Sequence, residues 1–214
     1  KIRNTFRYLL GNLNDSFQDI NFEDIDIKQL PELEQFMLHK VYSLDQNFNK
    51  YFRNYDFHNL YKELLNFCTV DLSAFYFDIR KDTLYCDSKN SLERKSTRTV
   101  LDILFHHLLT LLAPILCFTT EEAWQSRYGS NESVHTKSFP QIQRKWKRPE
   151  LYSKWEIYKE IRKSINGAIE IERKNKKIGS SLEASIDLYL GDSEFKEIDQ
   201  DLLKNISIIS ELEI

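Results

Sequence analysis

Apolar side chains recur every three or four residues along most of this chain, which is the period of one face of an α-helix. The first stripe joins Ile2, Phe6, Leu9, Leu10 and Leu13, and the helix ends near Gly11 to Asn14. The same period predicts five further helices. Three of them run from Leu33 to Tyr51 after Pro31, from Phe57 to Ile79 after a capping Asp56, and from Leu101 to Leu112 before Pro114. The other two begin at capping boxes, one at 119–122 and running through Trp124, the other at 153–156 and running to the basic residues at 173–177.

The period changes to two at Leu182, where apolar and polar residues begin to alternate up to Leu190, as in a strand with one buried face. A helical turn region follows, and then a second strand-like run at 206–212. The predicted fold class is therefore mainly α. We expect a helical bundle over 1–148, a long basic helix at 149–177 at the junction, and over 178–214 the start of a small α+β unit that is truncated.

Chain breakers are scarce, since the 214 residues include only 5 Gly and 4 Pro. Sandwiches and barrels need a turn every 8 to 12 residues, roughly, and this chain has too few turn-forming residues for them. Phosphate-binding loops and dinucleotide folds need clustered glycines, and the glycines here are widely spaced. These classes are excluded, and a stiff helical protein is favoured.

Charge is distributed unevenly, although the formal net charge is only -3. Segment 144–177 holds twelve Lys or Arg against five Glu. The segments 11–45 and 178–214 are both acidic. A basic belt of this kind suits an acidic partner such as a nucleic acid, which the overall charge conceals.

No group of residues is typical of a catalytic or metal site. His106 and His107 are adjacent, so they point to different faces of a helix and are more simply explained as core or surface residues. The three cysteines are widely spaced, which fits reduced thiols in a cytosolic protein and no zinc site. The most apolar run, 108–118, is too short to cross a membrane. Because the chain opens at Lys1 inside a helical pattern, we expect an excised piece of a longer protein.

Aromatic residues lie beside basic ones at several places, a mixture that single-stranded RNA recognition uses for stacking on bases and pairing with phosphates. The stretch 80–98 adds six Lys or Arg against three acids. An ordinary solvated helix face is the competing interpretation. The sequences concerned are Phe6-Arg7-Tyr8, Tyr51-Phe52-Arg53, Tyr76 to Lys81, and Trp146-Lys147-Arg148.

Four motifs carry a resemblance to a known family. Residues 1–14 (KIRNTFRYLLGNLN) resemble the helix that follows the catalytic domain in bacterial-type isoleucyl-tRNA synthetases. Residues 66–85 (NFCTVDLSAFYFDIRKDTLY) and 112–124 (LAPILCFTTEEAW) are similar to later parts of that family, in the same order. Residues 178–184 (IGSSLEA) match too, but sister class I enzymes share that motif.

The resemblance implies a class Ia anticodon-binding domain whose partner is isoleucine tRNA. The parent enzyme would attach isoleucine to that tRNA with ATP and magnesium, and its catalytic domain would be a second partner on the same chain. The family's two catalytic signature motifs and its cysteine-rich zinc module are missing here, so this piece is expected to bind RNA without catalytic residue, cofactor or metal of its own. We expect a monomeric cytoplasmic protein with no membrane segment.

The resemblance also suggests which residues contact RNA, because family helices in this position track the inner side of the tRNA. A structural ion pair is an equally good interpretation for Arg3 and Arg7, and the acidic linker 15–30 and the loop 129–137 differ from the family. Two other functions stay open, a helical protein-interaction module and the equivalent domain of a sister synthetase such as the valyl enzyme. The candidate RNA-binding residues are Lys1, Arg3, Asn4, Arg7, Arg80, Lys81, Arg94, Lys95 and Arg98.

Overall fold

The computed structural model describes residues 1–13, 26–191 and 198–214 of the chain. Most of the acidic linker predicted at 15–30 and part of the turn region after Leu190 lie outside the described residues. The chain divides into two compact units, Lys1–Leu151 and Tyr152–Ile214. The three-part division at 148 and 177 stays a prediction.

The first unit is a bundle of helices, as the hydrophobic pattern predicts. The connector between its last helix and residue 149 contains two short 3₁₀ turns, Val134–Thr136 and Arg144–Trp146, in the region that the sequence marks as irregular. The helices are α1 (Ile2–Leu13), α2 (Glu32–Arg53), α3 (Phe57–Asn66), a π-helical segment (Phe67–Tyr76), α4 (Phe77–Cys86), α5 (Leu92–Leu112) and α6 (Cys117–Tyr128).

The core of this unit forms around α5, which packs against α1, α2, α4 and α6. The leucines of its predicted stripe are buried, and so are Val100, Ile103 and Leu109 on its other faces. A helix that is apolar nearly all round belongs inside a protein. Helix α5 is therefore the central helix of the bundle, and the surrounding helices pack against it.

A continuous helical run covers Phe57 to Cys86, which is longer than the predicted helix. Its middle part, Phe67–Tyr76, is π-helical, a form with more residues per turn than the α-helix. The predicted stripe is buried only in part: Leu64 and Leu72 are buried, whereas Phe57, which precedes the π-helical segment, is 51% exposed.

The helix caps agree only partly with the sequence signals. The Asp56 carboxylate accepts the backbone N–H of Asn59, as the predicted cap requires. The two predicted capping boxes are wrong. Helix α6 begins at Cys117, ahead of the box at 119–122, and α7 (Pro149–Lys174) begins with Pro149 as its first residue, ahead of the box at 153–156.

The second unit combines helices with a two-stranded parallel sheet. Strand β1 (Ser185–Asp187) pairs with β2 (Glu211–Glu213), with α8 (Gln200–Ser207) between them in the chain. The alternation at 184–190 is visible in the burial pattern, but the strand is shorter than predicted and Leu182 lies in a 3₁₀ turn. The predicted fold class, mainly α with a small α+β unit, is confirmed. In the described ranges, no helix has the length and apolar character of a membrane span.

Candidate nucleic-acid interface

Helix α1 has one apolar and one polar face. Most of its apolar side chains are buried in the bundle, whereas Leu10 is half-buried. Arg3, Asn4 and Arg7 point to solvent on one side. Lys1 precedes the helix and is also exposed, and its carbonyl accepts the backbone N–H of Asn4 at 2.9 Å. The structure thus brings four of the nine candidate residues together on one exposed surface.

A groove of about 300 Å³ runs along this surface between α1 and α6. One Arg3 guanidinium nitrogen lies 2.6 Å from the Glu122 carboxylate across the groove, with both side chains more than half exposed. An ion pair so exposed contributes roughly 0–1 kcal/mol, so a phosphate can compete for Arg3 at little cost. The groove is lined by Arg3, Asn4, Phe6, Arg7, Leu10, Thr119, Glu122, Ala123 and Ser126.

Arg80 has a structural role that its sequence context does not reveal. Its guanidinium makes two hydrogen bonds, of 2.7 and 2.5 Å, to the carboxylate of Glu34, which is completely buried. The hydroxyls of Tyr76 and Thr97 donate to the same carboxylate at 3.1 Å. Arg80 therefore neutralises a buried charge, and the expectation that it contacts phosphate does not fit this position.

Arg98 is likewise unsuited to a phosphate contact. It lies on α5 with only 7% of its surface exposed, because this stretch of α5 is enclosed by the bundle. Arg94 is half-buried, and its guanidinium donates to the carbonyl of Asp87, the residue that ends α4, at 2.6 Å. Lys81 is exposed and Lys95 is half-buried, so both ammonium groups remain candidates.

Tyr8 connects the α1 surface to the start of α4. Its ring stacks on Phe77 with centroids 4.2 Å apart, and its hydroxyl donates to the carbonyl of Phe77 at 3.4 Å. Burial raises the pKa of Tyr8 well above its ordinary value, so the ring is a fixed neutral group. The α1 surface and the helix that bears Lys81 are thereby held in one arrangement.

The basic belt at 144–177 contains its own counter-charges. Each of its five glutamates pairs with a Lys or Arg of the belt, from Arg148 with Glu150 at 3.9 Å to Lys177 with Glu172 at 2.7 Å. The twelve basic residues still exceed these partners, so the belt keeps a positive charge after all the local pairs are counted.

Most of the predicted aromatic and basic combinations bury their rings. Phe6, Tyr76, Phe77 and Trp146 are all in the core, where they cannot receive a base. Tyr8 is half-buried against Phe77, and the combination at the end of α2 is the one with an exposed ring, since Phe52 is 39% exposed. Sequence spacing alone does not separate these cases, because neighbouring helices decide which rings are covered.

No metal centre is visible in the described part of the chain, which has no group of three His, Cys, Asp or Glu side chains placed to hold an ion. Cys68 is buried and burial raises the pKa of its thiol to about 12, while Cys86 and Cys117 are exposed. His107 is buried, as the interpretation of a core histidine requires, and its Nδ1 lies 2.8 Å from the carbonyl of Ile103.

Comparisons with known proteins identify the family of this chain. The family described as the anticodon-binding domain of tRNA ligase matches residues 34–188. Similar curated proteins include the isoleucine–tRNA ligases of Pelagibacter ubique, 59% identical over 92% of this chain, and of Agrobacterium fabrum, 47% identical over 91%. The isoleucine–tRNA ligase of Bartonella henselae is 40% identical over the full chain.

The chain spans only 20 to 22% of the length of these relatives. The match that starts at Glu34 nevertheless covers the bundle from α2 onward and reaches the first strand of the second unit. The resemblance seen in the sequence motifs is confirmed: the chain belongs to the anticodon-binding domain family of tRNA ligases.

Proposed function

We propose that this chain binds isoleucine tRNA as the anticodon-recognition part of an isoleucine–tRNA ligase. The single observation that supports this most is the exposed polar face of α1, where Arg3, Arg7 and the Asn4 amide border a groove and Lys1 is exposed at the start of the helix. Family membership and the similarity to isoleucine–tRNA ligases support isoleucine tRNA as the partner. ATP and magnesium would act in a catalytic domain, and this piece alone is expected to bind tRNA without charging it.

The cations would set the position of the tRNA, since phosphate contacts orient a nucleic acid without specifying its sequence. Lys1, Arg3 and Arg7 would contact the backbone along α1, and Lys81, Arg94 and Lys95 would do so near α4 and α5. The Asn4 amide can both donate and accept, so it suits a base edge or a ribose hydroxyl. The bundle around α5 would hold these groups at fixed separations. The protein would be a cytoplasmic monomer in this role.

The proposal is tested by titrating isoleucine tRNA into the chain at two salt concentrations. The Arg7→Glu, Lys81→Glu double variant should bind at least ten times more weakly, because two phosphate contacts become repulsive. Its salt slope should be smaller by about two units, one for each lost contact. The matched control is the Lys28→Glu, Lys163→Glu double variant, which makes the same charge change at two exposed positions that are not part of α1 or α4.

Two outcomes would count against the proposal. Equal affinity and equal salt slope for the double variant and its control would remove Arg7 and Lys81 from the interface. Absence of salt-dependent binding by the unmodified chain would favour a helical module that binds another protein. A parallel titration with valine tRNA tests the assignment to isoleucine, because tighter binding of valine tRNA would indicate the equivalent domain of a sister synthetase.

A further inference from the structure

The corner between α2 and α3 presents an unusual set of aromatic rings. Phe48 is 3% exposed and contacts Phe139 and Phe52, with ring centroids 5.3 and 5.6 Å apart. Phe52 contacts Phe57 at 6.1 Å, and Phe57 contacts Tyr55 at 6.2 Å. The rings form a ladder that starts in the core and ends in solvent, where Tyr55 is 80% exposed.

Tyr55 combines this exposure with a strained backbone. Its φ is 55°, in the left-handed region where a residue with a large side chain is unfavourable and Gly or Asn is usual. The turn between α2 and α3 requires this conformation, because the Tyr55 N–H bonds to the carbonyl of Phe52 and the Asp56 N–H to that of Tyr51. A tyrosine there costs stability and gains little packing, so its ring is better explained by an external partner.

A polar depression of about 510 Å³ lies at the same end of α2. Arg53 and Asn54, which line it, directly precede Tyr55 in the chain. The nearest carboxylate in the turn, that of Asp56, is engaged by the backbone N–H and the amide of Asn59. The Gln46 amide donates to the buried carboxylate of Asp45 at 3.3 Å and the Asn49 amide to the carbonyl of Asp45 at 2.9 Å, which leaves the oxygens of both amides facing the depression as acceptors. The lining consists of two cations and three amides: Gln46, Asn49, Lys50, Arg53 and Asn54.

These groups are those that proteins use for unpaired nucleotides. An exposed ring offers a stacking surface for a base, cations bind the phosphate, and amides can pair with the edge of the base. Because the buried Phe48 holds the neighbouring rings in place, these side chains would lose little conformational freedom when a base binds. A protein partner would also be drawn to exposed rings, but the two cations without a carboxylate in the lining favour a polyanion.

We infer that the corner of Phe52, Tyr55 and Phe57, with Lys50 and Arg53, is a second RNA contact that stacks an unpaired nucleotide on Tyr55. This site rests on the proposed tRNA-binding function and is separate from the α1 surface. It adds a base-stacking contact to an interface that otherwise consists mainly of phosphate-binding cations.

The test uses Tyr55→Asn, which removes the ring and keeps a residue that tolerates the left-handed backbone. Fold loss is therefore not expected, and a thermal melt should show a midpoint equal to or above that of the unmodified chain. Affinity for isoleucine tRNA should fall by about tenfold, the size expected for one lost base stack. Tyr55→Phe retains the stacking face and should bind normally.

The control is Tyr189→Asn, which makes the same replacement at a tyrosine 92% exposed in the second unit. Ultraviolet crosslinking of tRNA containing 5-iodouridine should label Tyr55 or Phe57. Salt-dependent tRNA binding that is equal for Tyr55→Asn and Tyr189→Asn, without a crosslink at the corner, would overturn this inference and leave the proposed function intact. Failure of the unmodified chain to bind tRNA would overturn both.

Discussion

Glu34 shows how one buried charge is stabilised in this bundle. Its carboxylate has no exposed surface, yet four donor groups from Tyr76, Arg80 and Thr97 satisfy it. Taking a charge out of water is costly, and only a paired and hydrogen-bonded charge can remain inside a protein. The network joins α2, the helical run after α3, and α5, so it links three elements through a single carboxylate.

Removing this carboxylate should be severe because it leaves the Arg80 guanidinium buried without its partner. We expect Glu34→Ala to lower the free energy of unfolding by about 4 kcal/mol in urea titrations. Glu122→Ala, which breaks the exposed pair with Arg3, should cost less than about 1 kcal/mol. Equal effects of the two variants would show that the buried network is not stabilising. If Glu34→Ala does not fold, Glu34→Gln offers a milder test, since its amide oxygen can still accept a hydrogen bond.

His107 should make stability depend on pH. Burial lowers the pKa of this histidine to about 4, so the folded state holds it neutral while the unfolded chain gains a proton below about 6.5. Stability is then complete above about pH 6.5 and declines as the pH falls toward 4, by about 2 kcal/mol at pH 5. Urea unfolding at pH 7 and pH 5 measures the difference, and His107→Gln should reduce it. An equal difference in both proteins would contradict this assignment.

At the residue scale, the sequence predicts buried apolar side chains well and buried charges poorly. The spacing of Leu101, Leu104 and Leu108 is enough to place them in the core, and all three are buried. The role of Arg80 depends on Glu34, 46 residues earlier in the chain. No local pattern contains that information, because the pair exists only after α2 and α4 are folded together.

At the scale of the elements, the sequence predicts which segments are helical better than it predicts the residues at which the helices begin and end. A residue pattern such as Thr119 to Glu122 matches a capping box, but Thr120 lies within α6 and its hydroxyl bonds back to the carbonyl of Leu116 at 3.0 Å. Glu121 instead accepts from Ser133 and from the backbone N–H of Val134, which holds the connector after α6. A side chain that the sequence pattern places in a helix cap therefore holds the connector against the helix instead.

Helix α7 ends in a motif whose strain can be relieved. The Lys177 N–H bonds to the carbonyl of Glu172 and the Lys176 N–H to that of Arg173, which is the Schellman pattern. Lys176 sits in the left-handed position with φ of 57°. Lys176→Gly should raise the free energy of unfolding by about 1 kcal/mol. The control Lys163→Gly, in the interior of the helix, should lower it by about 1 kcal/mol, and equal shifts would contradict the motif's role.

For the molecule as a whole, the sequence predicts the fold class, because the hydrophobic periodicity and the scarcity of Gly and Pro are enough to indicate it. The sequence predicts only part of the proposed RNA interface. The α1 surface could be predicted because Arg3, Asn4 and Arg7 lie on the side of α1 away from its apolar stripe. The corner at Tyr55 could not, since it joins residues from α2, α3 and the connector near Phe139. Exposure of a ring is a property of the assembled bundle, and sequence proximity to a basic residue does not determine it.

The π-helical segment in the run from Phe57 to Cys86 has a consequence for how homologous chains can vary. Along this run α3 packs on α2 and α4 packs on α5. Each wide turn holds more residues than an α-helical turn, so the segment takes up extra chain length while the run stays continuous. A one-residue deletion inside Phe67–Tyr76 could convert wide turns to ordinary ones and preserve a continuous rod. The same deletion in α3 would turn every later side chain by about 100° and misdirect Arg80 from Glu34. Length changes in this rod should therefore be tolerated at its middle and nowhere else along it.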